Sequence, residues 1–149
     1  MSSPFLENRN LSSVLDSTQL DLSVVVPIYN EAESIEALIQ AIADAVATTN
    51  LHYEIICVDD GSKDGSTDVL TELAQSRTDL KAVILRRNYG QTPAMAAGFE
   101  SATGKVIVTL DGDLQNDPAD IPLLLGKLEE GYDLVSGWRI KRQDAALTR

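Results

Sequence analysis

The sequence holds a single cysteine, Cys57. It cannot form an internal disulfide, so a disulfide-stapled scaffold is excluded and a reducing compartment is the expectation. No apolar run approaches the roughly 18 residues of a membrane span. Met1–Leu20 has neither the basic start nor the apolar stretch of a signal peptide, so the chain reads as soluble. Positive charge is scarce. Twelve Lys and Arg stand against 23 Asp and Glu, a net charge of −11 that argues against general nucleic-acid binding. Two phosphate-binding signatures are missing as well: no Gly-x-Gly-x-x-Gly follows the first apolar run, and no Gly-Lys-Ser/Thr occurs. A diphosphate ligand would lack those cradles of backbone amides and would need a cation to neutralise it. The only histidine, His52, precedes a strand-like run and reads as a surface residue.

What the 149 residues do contain, 44% hydrophobic and 23% charged, fits one ordinary globular domain. A chain of that length buries roughly 70% of the surface it exposes when unfolded, enough for a core without staples. The charge is uneven. Residues 1–138 carry 8 Lys and Arg against 22 Asp and Glu, whereas 139–149 carry Arg139, Lys141, Arg142 and Arg149 against Asp144 alone. An acidic body with a basic end suggests a cation in one place and an anionic partner in another, although a solvated acidic surface explains most of the carboxylates. Residues 1–20 read as a mobile arm with a short helical turn at Leu11–Leu15, and 21–138 as the folded domain. Residues 139–149 read as the basic start of a further region, the chain being a piece of a longer protein.

Leu22–Ile28 (LSVVVPI) is apolar almost throughout, as a strand covered on both faces must be. Within Glu31–Thr48, Ile35, Leu38, Ile39, Ile42 and Val46 recur at helical spacing. The same alternation continues down the chain. Strands are predicted at Tyr53–Val58, Lys81–Leu85, Lys105–Leu110 and Asp133–Ser136, and helices at Gly65–Arg77, Thr92–Ala102 and Pro118–Glu130. Cys57 falls mid-strand and reads as core. Strand–helix alternation with such connections implies an α/β fold, a mainly parallel sheet with helices on both faces.

Ligands of open parallel sheets sit outside the carboxyl ends of the strands, and the unusual polar residues fall at those ends. They are Pro27, Tyr29, Asn30 and Glu31; Asp59, Asp60, Gly61 and Ser62; Arg86, Arg87 and Asn88; Asp111, Gly112, Asp113 and Gln115; and Ser136–Arg139. Asp111-Gly112-Asp113 is the sharpest. In extended backbone positions i and i+2 point the same way, so both carboxylates can reach one cation, with Gln115 continuing the row. Mg²⁺ or Mn²⁺, hard cations held by carboxylates plus substrate phosphates, fit that pattern. Gly112 leaves room for close approach of a ligand. The bland alternative is an Asp-Gly turn followed by a solvated Asp. Asp59–Ser62 is either a turn with Asp64 or Ser66 capping the next helix, or a carboxylate for a base N–H or ribose hydroxyls. Pro27–Glu31 is either a strand exit capped by Asn30 or an aromatic face, Tyr29, beside a carboxylate. Arg86 and Arg87 alternate across the sheet, one toward the ligand edge. The basic run from Arg139 is a solvated tail or a phosphate-binding patch.

With these residues in place, the chain resembles the family-2 glycosyltransferases, whose nucleotide-sugar domain has the Rossmann-like GT-A fold. The matching segments are VVVPIYNE (Val24–Glu31), VDDGSKDGS (Val58–Ser66), RNYGQTPAMAAGF (Arg87–Phe99) and TLDGDLQNDP (Thr109–Pro118). Together with GWRIKRQD (Gly137–Asp144) they favour the polyprenyl-phosphate branch, the dolichol-phosphate mannose and bactoprenol glucose transferases. The resemblance implies that Pro27, Tyr29, Glu31, Asp59, Asp60, Gly61, Gln91 and Gly112 hold a nucleoside-diphosphate sugar, UDP favoured over GDP. It implies that Asp111, Asp113 and Gln115 hold Mg²⁺ or Mn²⁺, with Asp111, Asp113 and Arg139 serving catalysis. Arg139 and Arg142 would meet the phosphate of a polyprenyl acceptor, and the whole protein would work at the cytoplasmic side of a membrane through a C-terminal part. A soluble sugar acceptor, or a nucleotide-sugar-binding module without turnover, are the alternative readings.

Overall fold

The computed structural model describes residues 19–112 and 117–132. Four strands, β1 (Leu22–Ile28), β2 (Tyr53–Asp59), β3 (Leu80–Ile84) and β4 (Val106–Thr109), alternate with helices α1 (Ile35–Ala47), α2 (Ser66–Ser76) and α3 (Gln91–Ser101). After β4 a 3₁₀ turn at Pro118–Asp120 leads into α4 (Ile121–Glu129). The strands form one sheet in the order β3-β2-β1-β4, and every described pair is parallel. The expectation of an α/β fold with a parallel sheet therefore holds. The fifth strand at Asp133–Ser136 and the turn at Leu11–Leu15 lie outside the described residues.

The pleat sorts the core into two layers. Leu22, Val24, Val26 and Ile28 of β1, with Ile55 and Cys57 of β2, face a large cluster that takes in the α1 stripe, Leu70 of α2 and Ile121 of α4. All five residues of the expected α1 stripe are buried. Val25, Ile56 and Val58 point to the opposite face, where Ala94 of α3 meets them. Here contact is close because α3 offers small residues: a Cβ on Gly98 would run into the side chains of Val25 and Val58. The central strand β1 is buried on both faces, which is why it reads as a near-continuous apolar run.

A buried polar latch that no local sequence pattern announces stands at the amino-terminal edge of the sheet. Glu54 Oε1 accepts from Ser23 Oγ at 2.8 Å, Thr103 N at 2.9 Å and Thr103 Oγ1 at 3.1 Å, and Ser23 Oγ in turn accepts from Gly104 N at 2.8 Å. Lys81 Nζ lies 3.3 Å from Glu54 Oε2. Burial works against the charge of Glu54, but the Thr103, Ser23 and Lys81 donors outweigh it and hold the carboxyl below its ordinary range. This latch ties the exit of α3 to the bottom of β1 and β2.

Candidate functional site

The opposite, carboxyl-terminal edge opens into a cleft of about 440 Å³. Its floor is the end of β1, Pro27 and Ile28, where the sequence of the strand runs out into Tyr29. Tyr29 stands on the lip with 45% of its surface exposed, and Glu31 lies behind it, half-buried, its Oε2 accepting from Ser34 Oγ at 3.1 Å. Asp60 enters from the end of β2, Asn88 and Gly90 from the loop after β3, Gln91 from the head of α3, and Asp111 and Gly112 from the turn after β4. Four loops thus converge on one cleft, at the place where parallel sheets bind ligands.

The loop after β1 is held by the loop after β2, and the partners are long-range. The backbone N–H groups of Asn30, Glu31 and Ala32 donate to Ser62 Oγ, Ser66 Oγ and Asp64 Oδ2 at 2.9, 2.9 and 3.1 Å. Asn30 Oδ1 accepts from Lys63 N at 2.9 Å. Asp64 also accepts from the Ser66 hydroxyl, and that bond chiefly holds its carboxyl below the usual range. These bonds keep residues 30–32 out of the helix, Asn30 taking a left-handed φ of 53°. Helix α1 therefore starts at Ile35, four residues later than its sequence pattern suggests, with Ser34 rather than Asn30 at its cap. At α2 Gly65 takes the cap position, while Asp64 Oδ1 accepts from Ser66 N at 3.0 Å.

The two neighbouring aspartates after β2 are used differently. Asp59 is fully buried and turned into its own loop, accepting from Ser62 N at 3.1 Å and from the Thr67 hydroxyl; it does not line the cleft. Asp60 lines the cleft at 4% exposure, and its two oxygens accept the N–H groups of Tyr89 and Gly90 at 2.8 and 3.0 Å. Gly61 needs to be glycine: its φ is +72°, and a Cβ there would strike the Arg87–Asn88 backbone. Arg86 and Arg87 lie past the end of β3, not in the ladder, so strand alternation does not orient them. Arg87 instead sits over the Tyr89 ring, 4.9 Å from its centroid.

Across the cleft, β4 ends at Thr109 and Asp111 is half-buried, its Oδ1 3.4 Å from Gln91 Nε2. Gly112 is buried against β1, where a Cβ would stand 2.7 Å from the Pro27 carbonyl oxygen. Its small size thus serves packing of the turn on β1 as well as the cleft wall it forms. Asp113, Gln115, Arg139 and Arg142 lie outside the described residues. Among the described residues no three His, Cys, Asp or Glu cluster as a metal site. The structure brings Pro27, Tyr29, Glu31, Asp60, Gln91, Asp111 and Gly112 to one cleft, and adds Asn88 and Gly90. Asn88 is among the polar residues at the strand ends, whereas Gly90 takes part through its backbone amide, which donates to Asp60 as that of Tyr89 does and leaves no side-chain signal. His52 is a surface residue beside Asp21, and Cys57 is core, burial pushing its thiol up to about 12.

Comparison with known proteins matches residues 23–149 to the model of glycosyl transferase family 2. The undecaprenyl-phosphate 4-deoxy-4-formamido-L-arabinose transferase of Klebsiella pneumoniae is 49% identical over 125 residues, 83% of this chain and 38% of that protein. The chain thus spans about two fifths of the length of that relative. Among solved structures, a mannosyltransferase from Pyrobaculum calidifontis in complex with GDP-Man and Mn²⁺ is 28% identical with a TM-score of 0.53, covering 64% of this chain and 28% of its own. Glucosyl-3-phosphoglycerate synthase from Mycobacterium tuberculosis, in complex with UDP, is 25% identical with a TM-score of 0.60 and covers 78% of this chain and 43% of its own. Among the described residues no helix is long and apolar enough to cross a membrane.

Proposed function

The chain belongs to glycosyl transferase family 2, and on that premise we propose that it is the donor-binding part of an enzyme that moves a sugar from a nucleoside diphosphate to a polyprenyl phosphate. One observation carries the reading. Asp111, the first member of the Asp-Gly-Asp run, lines the same cleft as Tyr29 and Asp60, so a single ligand can span an aromatic face, a buried carboxylate and an acidic turn. Pro27, Tyr29, Glu31 and Asp60 form the nucleoside end, with Gly61 and Asp59 supporting the loop that carries Asp60. Gln91, Asp111 and Gly112 form the diphosphate end.

The donor set suits a hard divalent cation: oxygen ligands from Asp111, with Asp113 and Gln115 following it in sequence. Mg²⁺ or Mn²⁺ held there supplies neutralising charge for the leaving diphosphate. The protein's share is orientation. In the transfer, the acceptor's phosphate oxygen forms the new bond to the anomeric carbon as the bond to the nucleoside diphosphate breaks on the opposite side, with inversion. A phosphate monoester is largely ionised at neutral pH, its second pKa being about 6, so no strong base is required of the protein. We assign Arg139 and Arg142 to the acceptor phosphate, because a guanidinium fork matches phosphate geometry, and the basic composition of 139–149 favours an anionic membrane surface at the cytoplasmic side. The Klebsiella relative, by its name, supports the polyprenyl acceptor. UDP is our choice over GDP, on the likeness to bacterial members; the two solved relatives carry one of each.

The test is calorimetric titration of UDP- and GDP-sugars with and without Mn²⁺, followed by transfer to a short polyprenyl phosphate in a version extended past Arg149. Asp113→Asn should abolish metal-dependent donor binding and leave the fold intact. Unchanged affinity in that variant overturns the metal assignment, and donor binding without any lipid glycosylation overturns the transferase reading.

A further inference from the structure

Gln91 is the first residue of α3, yet its side chain reaches across the cleft to the turn after β4. Its Nε2 lies 3.4 Å from Asp111 Oδ1, a long hydrogen bond between residues from opposite walls. What holds Gln91 there is traceable link by link. Asp60 N donates to Ile28 O at 2.8 Å, fixing Asp60 to the central strand. The Asp60 carboxylate, 4% exposed, takes the Tyr89 and Gly90 amides one on each oxygen. Gly90 adopts φ 105° and ψ 167°, open to glycine alone, and its carbonyl accepts Ala94 N at 3.2 Å to begin the helix. Gly90 is therefore pinned from both sides, and Gln91 follows it directly.

We propose that Gln91 is a positioning residue for Asp111, and that Asp60 acts at the far end of the cleft by holding Gln91 in register. This rests on the reading of Asp111 as part of the diphosphate and metal end. The choice of an amide is chemically apt. A neutral donor fixes one carboxylate oxygen without the positive charge of a lysine, which would compete with a cation for the same group. The Asp60 carboxylate keeps two of its four lone-pair positions after binding two amides, so holding the loop leaves it able to accept from a ligand as well.

The experiment reads Mn²⁺ affinity by electron paramagnetic resonance at saturating UDP, with GDP in parallel, in the protein extended past Arg149. Gln91→Ala and the shorter Gln91→Asn should each weaken Mn²⁺ about tenfold, the low end for loss of a group that orients a metal ligand. UDP affinity in EDTA should fall by a smaller factor than Mn²⁺ affinity does in both, since Gln91 itself lines the diphosphate end; an equal or larger fall overturns the positioning role. Asp60→Asn turns an amide donor toward a backbone N–H and should weaken Mn²⁺ by a similar factor. The double variant Gln91→Ala/Asp60→Asn should show no further loss, because both act through one contact. Unchanged Mn²⁺ affinity in Gln91→Ala overturns the positioning role, and additive losses overturn the link to Asp60. If Asp60→Asn fails to fold, the two Gln91 variants still decide the first point. A wild-type protein that binds neither nucleotide with Mn²⁺ overturns the active-site reading, and the inference falls with it.

Discussion

Two glycine-to-alanine substitutions should move stability in opposite directions, because the added methyl meets different surroundings. At position 112 a Cβ would stand 2.7 Å from Pro27 O and 3.0 Å from Ile28 Cδ1. Neither can retreat freely: the Pro27 carbonyl belongs to the central strand, paired in register with Val58, and the Ile28 side chain is fully buried. Carbon contacts relax at about 3.5–4.0 Å, so the turn must lift by roughly 0.5–1 Å. Gly112 has no left-handed φ, so the cost is packing alone, about 1–3 kcal/mol for an overpacked site. At about 2–4 °C per kcal/mol for a chain of this size, the melting temperature should fall by roughly 2–12 °C. The same lift carries Asp111 with it, and misplacing a positioned group by that distance costs on the order of ten- to a hundredfold. At Gly126, exposed in α4, an added Cβ would meet nothing within 4 Å. Gly126→Ala should therefore gain the helix preference of alanine, about 0.5–1 kcal/mol, and melt slightly higher. Thermal melts of both variants, with calorimetric UDP titration in Mn²⁺, test the reasoning. A Gly112→Ala protein that melts at or above the wild type refutes the packing of this turn on β1.

Two further outcomes follow from the core. Glu54 has a lowered folded pKa, so its network stabilises the fold above the ordinary glutamate value of 4.5 and is lost as pH falls from there through the folded value. Glu54→Gln, which sets an amide against Lys81, should cost about 1.5–3 kcal/mol at pH 7 and flatten the acid limb of the stability curve; an unchanged limb counts against the latch. Cys57, fully buried with its thiol pushed up to about 12, should react with a disulfide reagent only when the core opens. Fast labelling of the native protein at neutral pH would contradict that placement.

The fold was legible where one residue type answers to one environment. β1 spans the Leu22–Ile28 run end to end, because a strand covered on both faces tolerates little besides β-branched and apolar side chains. The α1 stripe named its own buried face, but not its start: the amides of residues 30–32 are taken by Ser62, Ser66 and Asp64, some thirty positions away, and no local pattern records such a partner. The Ser23–Glu54–Thr103 latch is invisible in the sequence for the same reason. A glutamate inside YEIICV looks like the polar beat of an alternating strand until the residues that satisfy it are known. At the site, the strand ends pointed to the right edge of the sheet. Gly112 was legible only in part, since a glycine between two aspartates gives no hint of a carbonyl 2.7 Å from where its Cβ would be.

The run DDGSKDGS shows how a motif can divide its labour. Five of its residues, Asp59, Ser62, Lys63, Asp64 and Ser66, take part in bonds within their own loop or to the loop after β1. Gly61 supplies the close approach to the Arg87–Asn88 backbone. Of the paired aspartates, Asp60 alone lines the cleft, and even its carboxylate carries two structural bonds. Isolated loops at strand ends would be mobile. Here each is fastened to the next: β1 to β2 through serine hydroxyls, β2 to β3 through Asp60 and Gly61, and α3 to β4 through Gln91. A ligand that needs an aromatic face, a carboxylate and an acidic turn at fixed separations meets a rim already braced at those points, and less of its binding energy goes into ordering the protein.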